Sequence, residues 1–403
     1  MMQPFSLNIG SGGLTLYPGL SADELSPTSN VPDVIDFYRN EIAVTNNLNR
    51  ASLWENAYHI LYLANACVEG LTQSKIQETV KNQLIGEAMF MRTFILFNLT
   101  NLYGPIPLVL TTDYHKNEVL QRTSADSVYF QLIKDLTVAR NLMSAKYPTP
   151  GKFRPNKFTA SALLSKLCLY QKNWANAEKY ATEVIDAGIY RLEPNLDNVF
   201  LSGSHETIWK ISSVFPGFET WEGYFFVPTA SNIIPTYIIS DTLLNAFEKG
   251  DERRQKWINK VSVNGTNYYY PYKYKFGYDS LSTPLEDYVV FRLSEQYLIR
   301  AEARAEQNDL IGSTSDLNLI RNRAGLPNTN PVDRESALSA ILHERQLELF
   351  CEWGNRWFDL KRTGKANDVL SLSKPGWDPN DTLYPVPQTE LNRDPFLTQN
   401  PGY

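Results

Sequence analysis

LWENAYHILYLANACVEGLTQSKIQETVKNQLIGEAMFMRTFILFNLTNLYGPIPL, residues 53–108, decides the fold. Leu53, Ala57, Ile60, Ala64, Cys67 and Leu71 recur at steps of three and four, which is one face of a helix. Gly70 stands where that helix is expected to stop. Ser74 with Gln77 has the spacing of a capping box for the next one. Leu84, Ala88, Met91, Ile95, Leu99 and Leu102 then carry a second helical face, and Gly104-Pro105 ends it because proline cannot continue the ladder. Two long helices joined by a short polar turn make an antiparallel hairpin.

The pattern recurs downstream. Tyr129, Leu132, Leu136, Ala139 and Met143 mark a third helix, with Ser124 as its cap. A fourth is predicted over residues 158–170, and a fifth begins at Trp174 and closes at Gly188. Small residues at Ala162, Ala177 and Ala181 allow the helices of such a hairpin to approach closely. The spacing resembles tetratricopeptide units, helix pairs of about 34 residues. Another pair is predicted over 287–307 and 315–323, stopped by Gly325 and Pro327, and a last long helix over 334–353. From 191 to 284 the helical period is lost to Gly, Pro, Ser and aromatic residues. Val261-Ser262-Val263-Asn264-Gly265 is a hairpin signal, since Asn-Gly suits the mirror-image turn. Tyr268, Tyr270, Tyr272, Tyr274, Phe276 and Tyr278 alternate, which places all six on one side of an extended ribbon. Residues 375–403 are proline-rich and irregular. The expected fold class is mainly α: tetratricopeptide-like helix pairs packed against a loop-rich half with a small β-hairpin.

Composition narrows the function classes. The chain has 403 residues and a net charge of −6, without the basic bias that counterion release requires, so nucleic acid is disfavoured as a ligand. No apolar run approaches the roughly 18 residues of a membrane helix. Cysteines are three and far apart (Cys67, Cys168, Cys351), which argues against zinc knuckles and disulfide frameworks. Histidines are four and scattered, and no phosphate loop, nucleophile elbow or zincin motif is present. No cofactor is expected. The start, Met1-Met2-Gln3-Pro4-Phe5, lacks the regions of a signal peptide, which fits a cytoplasmic protein or a chain without its targeting segment.

Three constellations have chemistry to offer. Glu344, Glu348 and Glu352 stand at i, i+4, i+8, near Arg345, Arg356, Asp359 and Arg362. Paired carboxylates can hydrolyse glycosides, but like charges on one helix face need arginine between them, and a structural ion network is the favoured reading. The alternating tyrosines could stack on sugars or fill a core. The loop from Phe215 to Phe225 sets Trp221 and Tyr224 among Gly and Pro, beside Glu219 and Glu222, and Trp54 begins the first helix. Each of these rings could stack on a ligand or pack inside. Asp251-Glu252-Arg253-Arg254 reads as a solvated charge run.

Together these motifs resemble the SusD/RagB family of the Bacteroidetes outer membrane. Leu53-Trp54-Glu55-Asn56-Ala57-Tyr58 with Ala64-Asn65 is similar to its first helix. Gly86-Glu87-Ala88 to Arg92-Thr93, followed by Leu102-Tyr103-Gly104-Pro105-Ile106-Pro107-Leu108, resembles a family signature, with Thr93 where alanine is usual. Lys273-Tyr274, the run from Arg292 to Ala303, Glu344-Arg345 with Glu348-Leu349, and Arg356-Trp357-Phe358-Asp359-Leu360 match further elements in order. The resemblance covers nearly the whole chain. It implies one SusD-like domain over 1–403, with an N-terminal portion over 1–145 and a C-terminal portion over 190–403. It implies binding rather than catalysis, a lipid anchor facing the cell exterior, and delivery of ligand to a SusC-like TonB-dependent transporter. The ligand would be an oligosaccharide or, in some members, a peptide. An intracellular helical-repeat adaptor is the alternative. The anchor cysteine is not in this chain, since Cys67 lies in mid-helix, so the chain is read as truncated at its start with a natural end. The Glu344/Glu348/Arg356 cluster becomes scaffold. The ligand-binding residues expected are Trp54, Asp23, Trp221 and Tyr224, with no catalytic residue and no metal ligand.

Overall fold

The computed structural model describes residues 7–212, 218–277, 285–374 and 376–403. The opening hairpin forms from Asn56–Gln73 and Glu78–Tyr103, preceded by a π-helical turn over Leu48–Glu55. Gly70 does not end the first helix, which runs on to Gln73. The capping box at Ser74 is absent: the second helix starts at Glu78 without a side-chain cap, and the Ser74 hydroxyl accepts instead from the amide of Ile76. Ala125–Leu142 follows, capped by Ser124 as predicted, and packs on Glu78–Tyr103. Lys157–Tyr170 and Trp174–Ile185 form the next hairpin. Leu293–Glu306 packs against Trp174–Ile185 and against Leu310–Arg323, and Arg334–Glu348 closes the stack. The mainly-α fold of paired helices is therefore as predicted.

Two boundaries differ for a physical reason. Residues 288–292, predicted as helix, form the strand Tyr288–Arg292, antiparallel to Thr207–Ile211. Tyr-Val-Val-Phe is β-branched and aromatic, and burial on both faces hides the period that would mark a strand. The last long helix stops at Glu348 rather than continuing to Trp353. Cys351 and Trp353 adopt left-handed φ of 50° and 48°, and Gly354 at 71° starts the helix Asn355–Arg362. Hydrogen bonds hold this tight reversal: the Cys351 amide donates to Glu24 and the Trp353 indole to the Val289 carbonyl at 2.7 Å.

The Asn264-Gly265 hairpin forms between Ile258–Val263 and Thr266–Pro271, with both turn residues at positive φ. The tyrosine ribbon is shorter than its alternation. Pro271 ends the strand, Tyr270 and Tyr274 are buried, and Tyr268 and Tyr272 are half-buried. Tyr278 lies outside the described residues. The run 251–254 is not a solvated run: Asp251 and Arg253 are fully buried, and Arg253 grips Asp251 through two nitrogens at 3.0 and 2.8 Å.

The main core has aromatic edges meeting faces, as where Phe90 and Phe94 abut Trp209, and a second, smaller core around Leu298, Leu317 and Ile341 joins Leu293–Glu306, Leu310–Arg323 and Arg334–Glu348. Each fully buried large apolar side chain of this kind contributes about 1.5–3 kcal/mol. Among the described residues no helix is long and apolar enough to cross a membrane, and no group of three His, Cys, Asp or Glu is placed to hold a metal.

Candidate ligand-binding site

The four residues singled out from the sequence end in three different environments. Trp54 is 2% exposed and wedged between Tyr58 and Tyr103, with ring centres 5.0 and 4.8 Å away. A ring enclosed in this way has no face for a ligand, so Trp54 is core. Asp23 is 3% exposed, and both its oxygens accept from Arg356 at 2.7 Å while Gln346 adds a longer contact. It fastens the N-terminal segment to the Asn355–Arg362 helix and does not face solvent.

Trp221 and Tyr224 do come together. The short helix Trp221–Phe226 is capped by Thr220, whose hydroxyl accepts from the Gly223 amide at 3.1 Å. Its base is fixed by two glycines. A Cβ on Gly223 would sit 2.0 Å from the Phe276 carbonyl oxygen, and one on Gly277 would sit 2.7 Å from the Tyr224 Cα. The backbones of 223–224 and 276–277 therefore touch directly, which no larger residue permits. The Trp221 amide donates to the Tyr288 hydroxyl at 3.1 Å. Phe218, Trp221 and Tyr224 form a ring cluster with centres 4.9 to 5.5 Å apart. Trp221 is 9% exposed and Tyr224 54%. Trp221 is thus the buttress, and Tyr224 presents the open face.

Glu222 lies beneath this platform, fully buried. Thr15 donates to its Oε1 at 2.8 Å, and its Oε2 has no hydrogen-bond partner among the described residues. Burial, with a smaller push from Glu352, raises its pKa to about 7 despite the Thr15 hydrogen bond. The site base is thus a carboxyl that still holds its proton at mildly acidic pH.

The platform packs on an edge that pattern reading missed. Phe225 and Phe226 meet Tyr237 edge to face. Tyr237–Ile239 pairs with Leu25–Pro27, and the Thr28 hydroxyl continues the contact to the carbonyls of Pro235 and Thr236. Beyond this pairing the chain continues into Ser29-Asn30-Val31-Pro32 on one side and comes from Ser231-Asn232-Ile233-Ile234 on the other, exposed except for the half-buried Ser29. Each carries an amide beside exposed aliphatic residues. The signal was present: Ser-Asn, then aliphatic residues, then Pro, occurs in both. Neither segment has a helical or strand period, so nothing drew attention to it.

The carboxylate cluster is closed. Glu348 accepts from Arg292, Arg323 and Arg253, Glu344 from Arg253 at 2.6 Å, and Glu352 from two nitrogens of Arg292 at 2.8 Å and from Lys273. All of these side chains are nearly or wholly withdrawn from solvent. Burial alone would raise the pKa of Glu348, but the guanidiniums of Arg323, Arg292 and Arg253 hold it well below the usual range. Asp359, between Arg345 and Arg362, is likewise held down to about 2 against the effect of its burial.

Residues 213–403 match the SusD family, and residues 21–169 match a family described as starch-binding associating with outer membrane. The chain belongs to the SusD/RagB family. It is similar to SusD-like protein P25 of Formosa agariphila, 25% identical across 98% of this chain and 88% of the relative. It is also similar to the starch-binding protein SusD of Bacteroides thetaiotaomicron, 33% identical over 132 residues, 30% of this chain and 22% of the relative. A SusD superfamily protein from Bacteroides vulgatus shares the fold with a TM-score of 0.85 at 21% identity, across 96% of this chain and 93% of that one. In SusD/RagB terms, the motif residues Arg92, Arg292, Glu344, Glu348 and Arg356 are all buried here and paired with opposite charges. The motifs that carry the resemblance therefore build the frame, and the Tyr224 platform stands outside them.

Proposed function

We propose that the protein is a surface glycan-binding protein of the outer membrane that delivers oligosaccharide to a SusC-like TonB-dependent transporter. Its family relatives include a starch-binding protein, and one matched family is described by starch binding and outer-membrane association. The observation that carries the reading is the Tyr224 ring, more than half exposed on a base where the backbones of 223–224 and 276–277 pack directly together. Sugar rings present C–H faces that stack on flat aromatics, and amides take the hydroxyls. Asn30 and Asn232, on the neighbouring edge, supply such amides. The protein binds without catalysis: Glu344, Glu348 and Glu352, the one acid–base candidate of the sequence, are saturated by arginine and lysine. Lipid anchoring at the exterior face completes the proposal.

Calorimetry against neutral and acidic oligosaccharides tests it, with product analysis of the same mixtures. Saturable binding of at least one oligosaccharide and no shortened product is expected. Failure of every oligosaccharide to bind, or release of shortened sugars, overturns the reading. Purification from outer membranes in mild detergent tests the partner: a large barrel protein should follow the chain.

A further inference from the structure

The Asn264-Gly265 hairpin and the short helix before it, Glu252–Lys256, border an open cleft of about 310 Å³ that shares no residue with the Tyr224 platform. Sites that enclose a ligand run from about 300 Å³ upwards, so the cleft has room for one unit of a larger ligand. Its lining is Arg254, Gln255, Ile258, Asn259, Lys260 and Tyr269. Ile258 is buried, and each of the other five carries an N–H or O–H that can donate. No Asp or Glu is among them.

The strand register brings the two cations together. Lys260 is paired with Tyr269 across the ladder, and directly opposite residues send their side chains to the same face. The Arg254 guanidinium lies over that same Tyr269 ring, 4.6 Å from its centre. Neither the guanidinium nor the Lys260 ammonium has a hydrogen bond or ion pair among the described residues. The nearby carboxylates are turned elsewhere: Asp251 to Arg253, Asp197 to Lys256 and Lys275, and Glu252 towards Gly325, where an added Cβ would sit 3.2 Å from its Oε1. The chain as a whole carries a net charge of −6, so this surplus of cations is local. The Asn259 side-chain oxygen accepts from the Lys260 amide at 2.8 Å, which leaves its NH2 group to donate. A guanidinium held over a ring keeps its N–H edge free, and that edge forks onto two oxygens of an oxyanion.

We propose that this cleft holds an anionic group of an oligosaccharide, a carboxylate or a sulfate, with Arg254 as the fork and Lys260 as the second charge. Gln255 and Asn259 take the hydroxyls beside it. The inference rests on the reading of the protein as an oligosaccharide binder and adds a second contact that selects for charge. A nucleic acid needs a run of cations along its backbone, and two cations on an acidic protein do not supply one.

The test titrates the full chain by calorimetry with two matched pairs: oligogalacturonate and its methyl ester, and κ-carrageenan oligosaccharide and its desulfated form. The charged member of at least one pair should bind about tenfold tighter than its neutral match, and which pair does so tells carboxylate from sulfate. Raising salt from roughly 50 to 500 mM should shrink that advantage in the wild type, which keeps the test valid if a variant misfolds. Arg254→Gln combined with Lys260→Gln should remove the advantage, and Arg254→Lys should keep part of it, since the charge stays and the fork is lost. Inorganic sulfate should also shift the Arg254 Nε–H resonance saturably, with chloride at equal ionic strength as the control. Equal binding within both pairs, an advantage that salt does not touch, or the full advantage in the folded double variant would each overturn the assignment. A sulfate shift without preference for a charged sugar leaves a site for free anions and overturns it as well. Neutral binding that Tyr224→Ala removes, with no advantage for charge, overturns this inference and leaves the function proposed above standing. Failure of all four oligosaccharides overturns both.

Discussion

The seam beneath the Arg334–Glu348 helix and the platform at Tyr224 are both rich in groups that could act on a ligand. In the seam, every carboxylate meets at least one guanidinium or ammonium, and every member is buried. At the platform, two rings are buried and the third is left open, and the carboxyl of Glu222 meets no cation among the described residues. Charges that satisfy one another inside a protein hold it together, and they have no free valence for a substrate. A ring that is fixed from below and open above has its contact surface still to use. Number and density of chemical groups would have favoured the seam as the site. What remains unsatisfied favours the platform.

The largest expected effect breaks the seam. Glu348→Ala leaves the buried side chains of Arg292, Arg323 and Arg253 each short of a partner. Removing one partner of a buried ion pair costs about 3–5 kcal/mol, mostly through the charge left behind. Urea unfolding should show that loss, with oligosaccharide affinity of the folded fraction unchanged. An unchanged midpoint would mean that the seam is redundant and its closure irrelevant to stability.

Trp54→Ala sharpens the comparison from the other side. Trp54 and Tyr224 were both expected to touch ligand, and burial separates them. Truncating a buried tryptophan costs about 3–5 kcal/mol. The variant should unfold earlier and still bind. A stable Trp54→Ala protein that has lost binding would return Trp54 to the site.

These pairs show which parts of the molecule were legible in its sequence. Helix pairs were, because their cores repeat every three and four residues and depend on little else. The seam was legible as ions in need of partners, since Glu344, Glu348 and Glu352 on one face demand arginine. The strand Tyr288–Arg292 was not, because burial on both faces erases its period. Arg253 was misread as solvated because its partners Glu344 and Glu348 lie about ninety residues away, and Asp251 is buried with it as its neighbouring partner. The ring that would be open could not be read at all. Trp54, Trp221 and Tyr224 look alike in sequence, and their exposure is decided by neighbours such as Tyr103, Phe276 and Gly277, which no local pattern connects to them.

Glu222 tests the floor of the platform through pH. Its pKa is raised to about 7 in the folded chain by burial, against an ordinary value of 4.5. Between those values the unfolded chain has released a proton that the folded chain still holds. The stabilising effect of low pH is thus complete below the unfolded value and is lost as pH rises to about 7. Glu222→Gln removes this dependence. The variant should gain on wild type by on the order of 3 kcal/mol between pH 4.5 and 7. Glu24 and Glu286, raised to about 8 by burial, slope in the same direction in both proteins and cancel in the difference. A difference that does not change with pH would place a charged Glu222 under the platform.

The smallest effect on stability, and the most specific on function, belongs to Tyr224→Ala. The ring is more than half exposed, and its contacts are to the edges of Phe218 and Trp221, so its loss should move the unfolding midpoint little. The fold of the turn comes from Thr220, Gly223 and Gly277, which the substitution leaves in place. Losing a stacked aromatic anchor from a binding site costs about 2 kcal/mol, more than tenfold in affinity. Calorimetry with an oligosaccharide that binds the wild type should therefore show weakened binding at unchanged stability, the reverse of Trp54→Ala and Glu348→Ala. Tyr224→Phe separates stacking from hydrogen bonding: retained affinity assigns the contact to the ring face, and a loss equal to that of alanine assigns it to the hydroxyl. If both variants bind like the wild type, the ligand is held by the edge carrying Asn30 and Asn232 alone, and Asn30→Ala with Asn232→Ala should then remove what Tyr224 did not.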